Sequence, residues 1–275
     1  MLRRRRSLSP SATPAARDGV RYSQVVSAPR IIAHRGDSSS LPENTLAAFY
    51  GARDAGADGI EFDVHMTADG HLIVLHDYDL ARTTTGSGFV HDRTLDYVRS
   101  LSAGSSYSEE FRSERVPTLE EVLAIGGVDF ELEVKGLPNE RFVSALIDTI
   151  REMGVEHRVE ITGFHTVAVP YLRTGLPGAR FGLFSPRFET WMSTQLFEDI
   201  LFESARLGHY DVVHVPASLI ARIDVGRLRD AGFTVHCGDA HSPEELASAI
   251  RLSDQMSTTD VAAAVMARDA ATRRG

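Results

Sequence analysis

The sequence predicts an α/β protein, a closed (β/α)8 TIM barrel with a small insertion after the second strand. Three observations predict it. Short apolar runs of four to six residues alternate with longer amphipathic stretches, which is the pattern of βα units. Eight such runs follow residue 30, the number that closes a barrel. No G-x-G-x-x-G or G-x-x-x-x-G-K-[ST] follows a strand, which removes the usual reason to prefer a doubly wound open sheet.

In chain order, strands are expected at Ile31–His34, Gly59–Val64, Phe130–Val134, Val159–Thr162, Arg180–Leu183, Val212–Val215, Thr234–Cys237 and Gln255–Thr258. Helical patterns occupy Asn44–Ala55, Leu119–Ile125, Arg141–Met153, Val167–Thr174, Thr190–Leu207, Leu219–Ala231 and Glu244–Leu252. Ser40-Leu41-Pro42-Glu43 reads as a capping box for the first helix, with Pro early in the first turn. Glu43 is then either a cap or a partner for Arg35. Trp191 reads as a helix packing residue rather than a substrate platform.

One region breaks the alternation. Thr67-Ala68-Asp69-Gly70 between two apolar runs is a hairpin signal. Pairing Met66 with His71 places Glu61 opposite His76. Residues 65–115 then form an excursion before the next barrel helix. Its glycines and the serines near Ser105–Ser108 give it a loop-like character, and long excursions in compact domains are usually functional. Residues 30–275 are expected to form this one barrel domain. Residues 1–29 are expected to be a disordered basic tail, because Arg3 to Arg6 are followed by no apolar stretch and so do not open a secretory signal.

Composition narrows the function. The apolar fraction of 43% is ample for a core. The lone Cys237 excludes a disulfide framework and a cysteine zinc site, and a cytoplasmic location is the expectation. The net charge of −9 coexists with an Arg-rich start, so the body of the chain is strongly acidic and nucleic acid is not an expected partner. No stretch approaches 18 apolar residues, so no stable membrane anchor is expected.

Four charged motifs sit in or just after the apolar runs: His34-Arg35-Gly36, Glu61-x-Asp63, His76-Asp77 and Glu133-x-Lys135. Buried, unpaired carboxylates cost several kcal/mol, so these acids need partners. Residues two apart on a strand point the same way, and the carboxyl ends of barrel strands face the active site. Three adjacent strands therefore bring His34, Glu61, Asp63 and Glu133 to one mouth. Carboxylate oxygens without Cys or paired His suit Mg²⁺, Ca²⁺ or Mn²⁺ rather than zinc. His34 and His76 have the intrinsic pKa for proton transfer near neutrality, and Asp77 is a natural partner to orient His76. Arg35 offers a bidentate fork to a phosphate. Of the 29 basic side chains only Lys135 is a lysine, and it lies inside this set. The remaining nine histidines lack such context, although His165 is placed to line the site from the loop after the fourth strand.

The segments AHRGDSSSLPENTLAAF, GADGIEFDVHMTADGHLIVLHD, TTTGSG, VPTLEEVL and ELEVKG, in that order, resemble the glycerophosphodiester phosphodiesterase family, in its bacterial single-domain form. The similarity runs from about Ile31 to Asp260 and is strongest through Gly136. It implies the same barrel and insertion. It implies His34 and His76 as a general acid/base pair. It implies Glu61, Asp63 and Glu133 as ligands of one divalent cation, commonly Ca²⁺ or Mg²⁺, and Arg35 and Lys135 as phosphate contacts. The implied reaction is hydrolysis of a small-molecule glycerophosphodiester to sn-glycerol 3-phosphate and an alcohol. Two departures stand out. Gly238-Asp239-Ala240-His241 replaces a Trp-Thr-Val-Asn segment common in relatives, and Thr258-Thr259-Asp260-Val261 lacks the Pro usually found after Asp. Two readings compete: a phospholipase C- or D-like enzyme acting on lyso- or intact lipids, and a non-catalytic barrel that binds phosphorylated ligands.

Overall fold

Eight parallel strands with helices between them close into a barrel in the computed structural model, which describes residues 28–136, 138–163, 166–240 and 242–273. The expected basic tail lies, apart from its last two residues, outside the described residues. The strands are β1 (Arg30–His34), β2 (Gly59–Met66), the short β3 (Leu72–Val74), β4 (Asp129–Val134), β5 (Val159–Thr162), β6 (Arg180–Phe184), β7 (Val212–Val215), β8 (Thr234–Cys237) and β9 (Gln255–Thr258). They pair in the order β1-β9-β8-β7-β6-β5-β4-β2-β3, and a further β1–β2 pairing closes the ring. Every barrel strand read from the sequence is present. The helices are α1 (Leu46–Asp54), α2 (Leu95–Ser100), α3 (Leu119–Leu123), α4 (Glu140–Glu152), α5 (Val169–Gly175), α6 (Thr194–Leu207), α7 (Ala217–Ile220), α8 (Val225–Asp230), α9 (Pro243–Leu252) and α10 (Val261–Thr272).

Strand alternation sorts the residues. In β2 and β4, Ile60, Phe62, Val64, Phe130 and Leu132 are buried in the main apolar core with Phe49, Leu119 and Val122 from the helices. The Phe49–Phe62–Phe130 rings pack edge to face at 6.0 and 6.1 Å. Burial of each such side chain is worth about 1.5–3 kcal/mol. The intervening residues Glu61, Asp63, Glu131 and Glu133 are also buried, and they face the barrel interior.

The hairpin after β2 differs from expectation by one residue. Val64 pairs with Val74, His65 with Ile73 and Met66 with Leu72, so Glu61 does not face His76. The cause is a three-residue loop. Thr67 N donates to His71 O, Thr67 Oγ1 accepts from His71 N, and Gly70 takes the left-handed conformation (φ +94°) that such a loop requires. The excursion is also more ordered than its composition predicts. It carries α2 and a small core of its own, formed by Ile73, Leu75, Leu80, Val90, Val98, Leu101, Ala103 and Val116.

Three other expectations are corrected. The helix expected over Leu219–Ala231 is two helices, because Asp224 restarts it as the N-cap of α8 by accepting from Arg227 N. Trp191 precedes α6 and is 70% exposed, so it is not a packing residue. The cap of α1 is Thr45, whose hydroxyl accepts from Ala48 N, rather than the Ser40–Glu43 box. A complete capping box does exist at α3, between Thr118 and Glu121. His165 and His241 lie outside the described residues.

Candidate active site

The strand registers bring the charged motifs together. His34 at the end of β1 pairs with Glu61 on β2, and Asp63 pairs with Glu133 on β4. One carboxylate oxygen each from Glu61, Asp63 and Glu133 lies within 4.8 Å of the others, and all three residues are buried. They stand at the carboxyl end of the barrel, where His34, Glu61, Glu133, Phe184, Asp239 and Ser257 line a cavity of about 460 Å³.

The turn after β1 is shaped to serve this cluster. Arg35 has φ +57°, a left-handed conformation that costs a non-glycine residue about 1–2 kcal/mol. It aims the Arg35 amide at Glu61 Oε2, 2.9 Å away. The following Gly36 (φ +83°) has no room for a side chain, since a Cβ there would stand 2.7 Å from Ala48. Asn44, also left-handed at φ +55°, donates its amide to Asp63 Oδ2 at 2.8 Å. The Arg35 guanidinium reaches Asp63 at 3.4 Å and is held by Glu43 at 3.0 Å. Glu43 is thus a partner for Arg35 and not a cap. Lys135 Nζ sits 2.7 Å from Glu133 and 3.3 Å from Asp63. Beyond Lys135, Glu133 Oε1 and Asp63 Oδ1 have no hydrogen-bond partner, so each keeps a lone pair for a cation.

Each candidate histidine has a carboxylate at its Nδ1. His34 Nδ1 is 2.5 Å from Asp239, while its Nε2 faces Glu61 at 3.8 Å. Burial pulls the His34 pKa down, but Glu61 and Asp239 outweigh it and lift it to about 9. His76 Nδ1 is 2.6 Å from Asp77. Arg82 then bonds both Asp77 and Glu43, and its hydrogen bond to Asp77 brings that carboxylate down to about 2. A continuous chain of ion pairs therefore runs from His76 through Asp77, Arg82, Glu43 and Arg35 to Asp63. The backbone bond from Leu75 N to Asp63 O, 2.9 Å, sets the His76 segment beside the end of β2. His65 Nε2 lies 3.2 Å from the His76 carbonyl and steadies the same segment.

The acid trio fits one hard divalent cation. Burial, and then the Asp63 charge, push Glu61 well above the ordinary carboxylate range. Lys135 and Arg35 offset part of the charge of these three buried carboxylates from the edge, and a divalent cation between them would offset more. Free oxygen lone pairs on two of them and an all-oxygen donor set are what Mg²⁺, Ca²⁺ or Mn²⁺ require.

Six of the seven residues proposed from the sequence contact one another here, and His76 is tied to them through Asp77, Arg82 and Glu43 and through the Leu75–Asp63 backbone bond. Four neighbours did not announce themselves. Asn44 and Arg82 carry no motif of their own, and Glu43 was one of two readings. Asp239 appeared in the sequence only as the replacement of an aromatic segment; its location beside His34 depends on barrel closure.

The profile of the Glycerophosphoryl diester phosphodiesterase family matches residues 34–237. A glycerophosphodiester phosphodiesterase of Caldanaerobacter subterraneus subsp. tengcongensis is 45% identical over 158 residues, covering 56% of this chain and 65% of that protein. Another, from Bacillus altitudinis, is 37% identical over 142 residues, covering 50% and 58%. The matched stretches thus span less than two thirds of these relatives. Among solved structures, a glycerophosphodiester phosphodiesterase of Agrobacterium tumefaciens superposes with TM-score 0.70 at 25% identity, covering 86% of this chain and 99% of that one. A phosphodiesterase of Oleispira antarctica, solved with the product sn-glycerol-3-phosphate, superposes with TM-score 0.72 at 24% identity, covering 88% and 97%. A family match that begins at the mouth histidine of β1 and ends with β8 takes in most of the barrel and nearly every residue described above, so the chain belongs to the glycerophosphoryl diester phosphodiesterase family.

Proposed function

We propose that the protein hydrolyses glycerophosphodiesters to sn-glycerol 3-phosphate and a free alcohol, using one divalent cation, Ca²⁺ or Mg²⁺ with Mn²⁺ as a substitute. The observation that carries the reading is the buried Glu61–Asp63–Glu133 trio with His34, Arg35 and Lys135 at its edge. Held by that trio, the cation would polarise the phosphoryl oxygens as a Lewis acid. Arg35 and Lys135 would bind those oxygens and offset the charge that grows on them. Of His34 and His76, one accepts the proton of the attacking oxygen and the other donates to the departing alcohol. Asp239 and Asp77 hold the imidazoles in orientation. The acidic body of the chain disfavours nucleic acid as a substrate. Among the described residues, no helix is long and apolar enough to cross a membrane. We place the reaction in the cytoplasm, with residues 30–275 acting as one catalytic domain and the excursion after β2 supplying His76 and Asp77.

The test is direct. The full chain, stripped with a chelator, is offered glycerophosphocholine, glycerophosphoethanolamine and glycerophosphoglycerol with Mg²⁺, Ca²⁺ or Mn²⁺ restored, and glycerol 3-phosphate is measured. Release that depends on the added cation is expected. Faster turnover of lysophosphatidylcholine than of glycerophosphocholine would favour the phospholipase-like reading, and no turnover of any diester would favour a binding protein.

Asp239→Asn is expected to lower kcat on the order of 10²-fold with little change in KM, because misorienting a catalytic imidazole damages the transition state more than substrate binding. Asp239→Glu is expected to recover part of the loss. An equal rise in KM with kcat unchanged would assign Asp239 to substrate binding instead.

A further inference from the structure

Beneath the acid trio, the barrel interior holds a second group of titratable side chains that the proposed reaction does not use. Glu131 lies on β4, Glu160 on β5, His214 on β7 and His236 on β8, and all four are buried. One donor atom from each lies within 4.8 Å of the others. Contacts between β4 and β7, and between β4 and β8, join strands that are not neighbours in the sheet, so these groups meet across the barrel axis. Branched apolar residues ordinarily fill this layer.

Accounting for the protons exposes a gap. His214 Nε2 is 2.8 Å from Glu160 Oε1 and donates to it. That leaves His214 Nδ1 free, 3.7 Å from Glu131 Oε1. The Gln255 amide nitrogen donates to Glu160 Oε2 at 3.0 Å and to His236 Nδ1 at 3.0 Å, so His236 Nδ1 is an acceptor. The same Nδ1 stands 3.2 Å from Glu131 Oε2, an oxygen that receives no hydrogen bond although its residue is only 5% exposed. Glu131 Oε2 thus lacks a donor, and one nitrogen each of the stacked His214 and His236 rings lies within 3.7 Å of the Glu131 carboxylate. Orphaned buried acceptors are costly, and a bound cation removes the cost.

We propose that Glu131, His214 and His236 form a second metal site, selective for a zinc-class divalent ion. Two imidazoles and one carboxylate are a zinc donor set, unlike the all-oxygen trio above it. Glu160, by holding the far nitrogen of His214, supplies the carboxylate–histidine contact that orients a metal-bound imidazole. On binding, the ion takes His236 Nδ1 from the Gln255 amide, which keeps its bond to Glu160. Glu131 and His214 line the floor of the active-site cavity, so the ion can enter from the mouth. Glu131 and Glu133 are two residues apart on β4, about 6.6 Å along the strand. That is too far for a paired-metal clamp on one phosphoryl group, which needs ions about 3.5–4 Å apart. The second ion therefore ties β4, β7 and β8 together below the reaction rather than joining it.

The experiment uses the full chain, stripped with a chelator and saturated with Mg²⁺ to fill the upper site. Zn²⁺ is then titrated by calorimetry, and Co²⁺ by its visible d–d absorption. One equivalent of Zn²⁺ bound against excess Mg²⁺, with a rise in Tm, is expected. His236→Gln should weaken that binding by about 100-fold or more, and Glu133→Gln should leave it unchanged. No Zn²⁺ bound under Mg²⁺, or loss in Glu133→Gln with retention in His236→Gln, would overturn the proposal. If His236→Gln does not fold, imidazole nitrogen resonances of the wild-type chain decide. Two histidines must shift on one equivalent of Zn²⁺, and shifts of none or one would overturn it. None of these readouts depends on turnover, so failure here leaves the diesterase reading standing.

Discussion

Glu133→Gln is expected to reduce turnover at saturating Mg²⁺ by about 10³-fold or more, the loss of roughly 4 kcal/mol of transition-state stabilisation that a misheld Lewis acid entails. The substitution keeps the shape of the side chain and removes one of three charges that converge within 4.8 Å. It also releases Lys135, which lies 2.7 Å from Glu133 Oε1, to bind Asp63 alone. The activating concentration of cation should rise together with the fall in kcat. Because replacing a buried carboxylate by an amide relieves like-charge repulsion with Glu61 and Asp63, the melting temperature in the absence of metal should not fall. Steady-state kinetics over a Mg²⁺ series, with a melt recorded on the same preparation, check both parts. Turnover close to wild type would mean that the trio is not the metal site.

His34→Ala and His76→Ala should each cost on the order of 10² to 10⁴ in turnover, the usual worth of a positioned acid or base. The two losses should be distinguishable. A diester with a good leaving group, such as a p-nitrophenyl ester, needs no proton on departure. The variant lacking the general acid should regain much of its activity on that substrate, and the variant lacking the base should not. The double variant should lose far less than the product of the two single losses, because residues that act as a unit are not additive. Both histidines are about a quarter to a third exposed and sit at strand ends rather than in the core, so far-UV circular dichroism should be unchanged. Near wild-type rates in both variants would end this mechanism.

Much of the fold was legible because its elements are local. Each barrel strand is a short apolar run, and each run was bounded by a turn or a helical pattern. The hairpin shows the limit. Asp69-Gly70 marks a turn, but whether the loop has three residues or four depends on whether Thr67 and His71 close it, and one residue of slip turns every later side chain to the other face. α2 was hidden because Leu95–Ser100 is only six residues long and polar around it; it forms where Val98 packs into the excursion's own core. α10 follows the last strand and so fell outside the strand-to-strand pattern.

The chain's local order by itself determined the barrel, the charged motifs and the pairing of faces. Glu61 with Asp63, and Glu133 with Lys135, share a side because strand geometry repeats every two residues, whatever the rest of the molecule does. Tertiary structure alone decided which residues from the far half reach across. Asp239 beside His34, and His214 and His236 against Glu131, are separated by 83 residues or more in sequence. Their meeting depends on how the eight strands tilt and stagger as the ring closes, a quantity summed over the whole sheet that no single segment encodes.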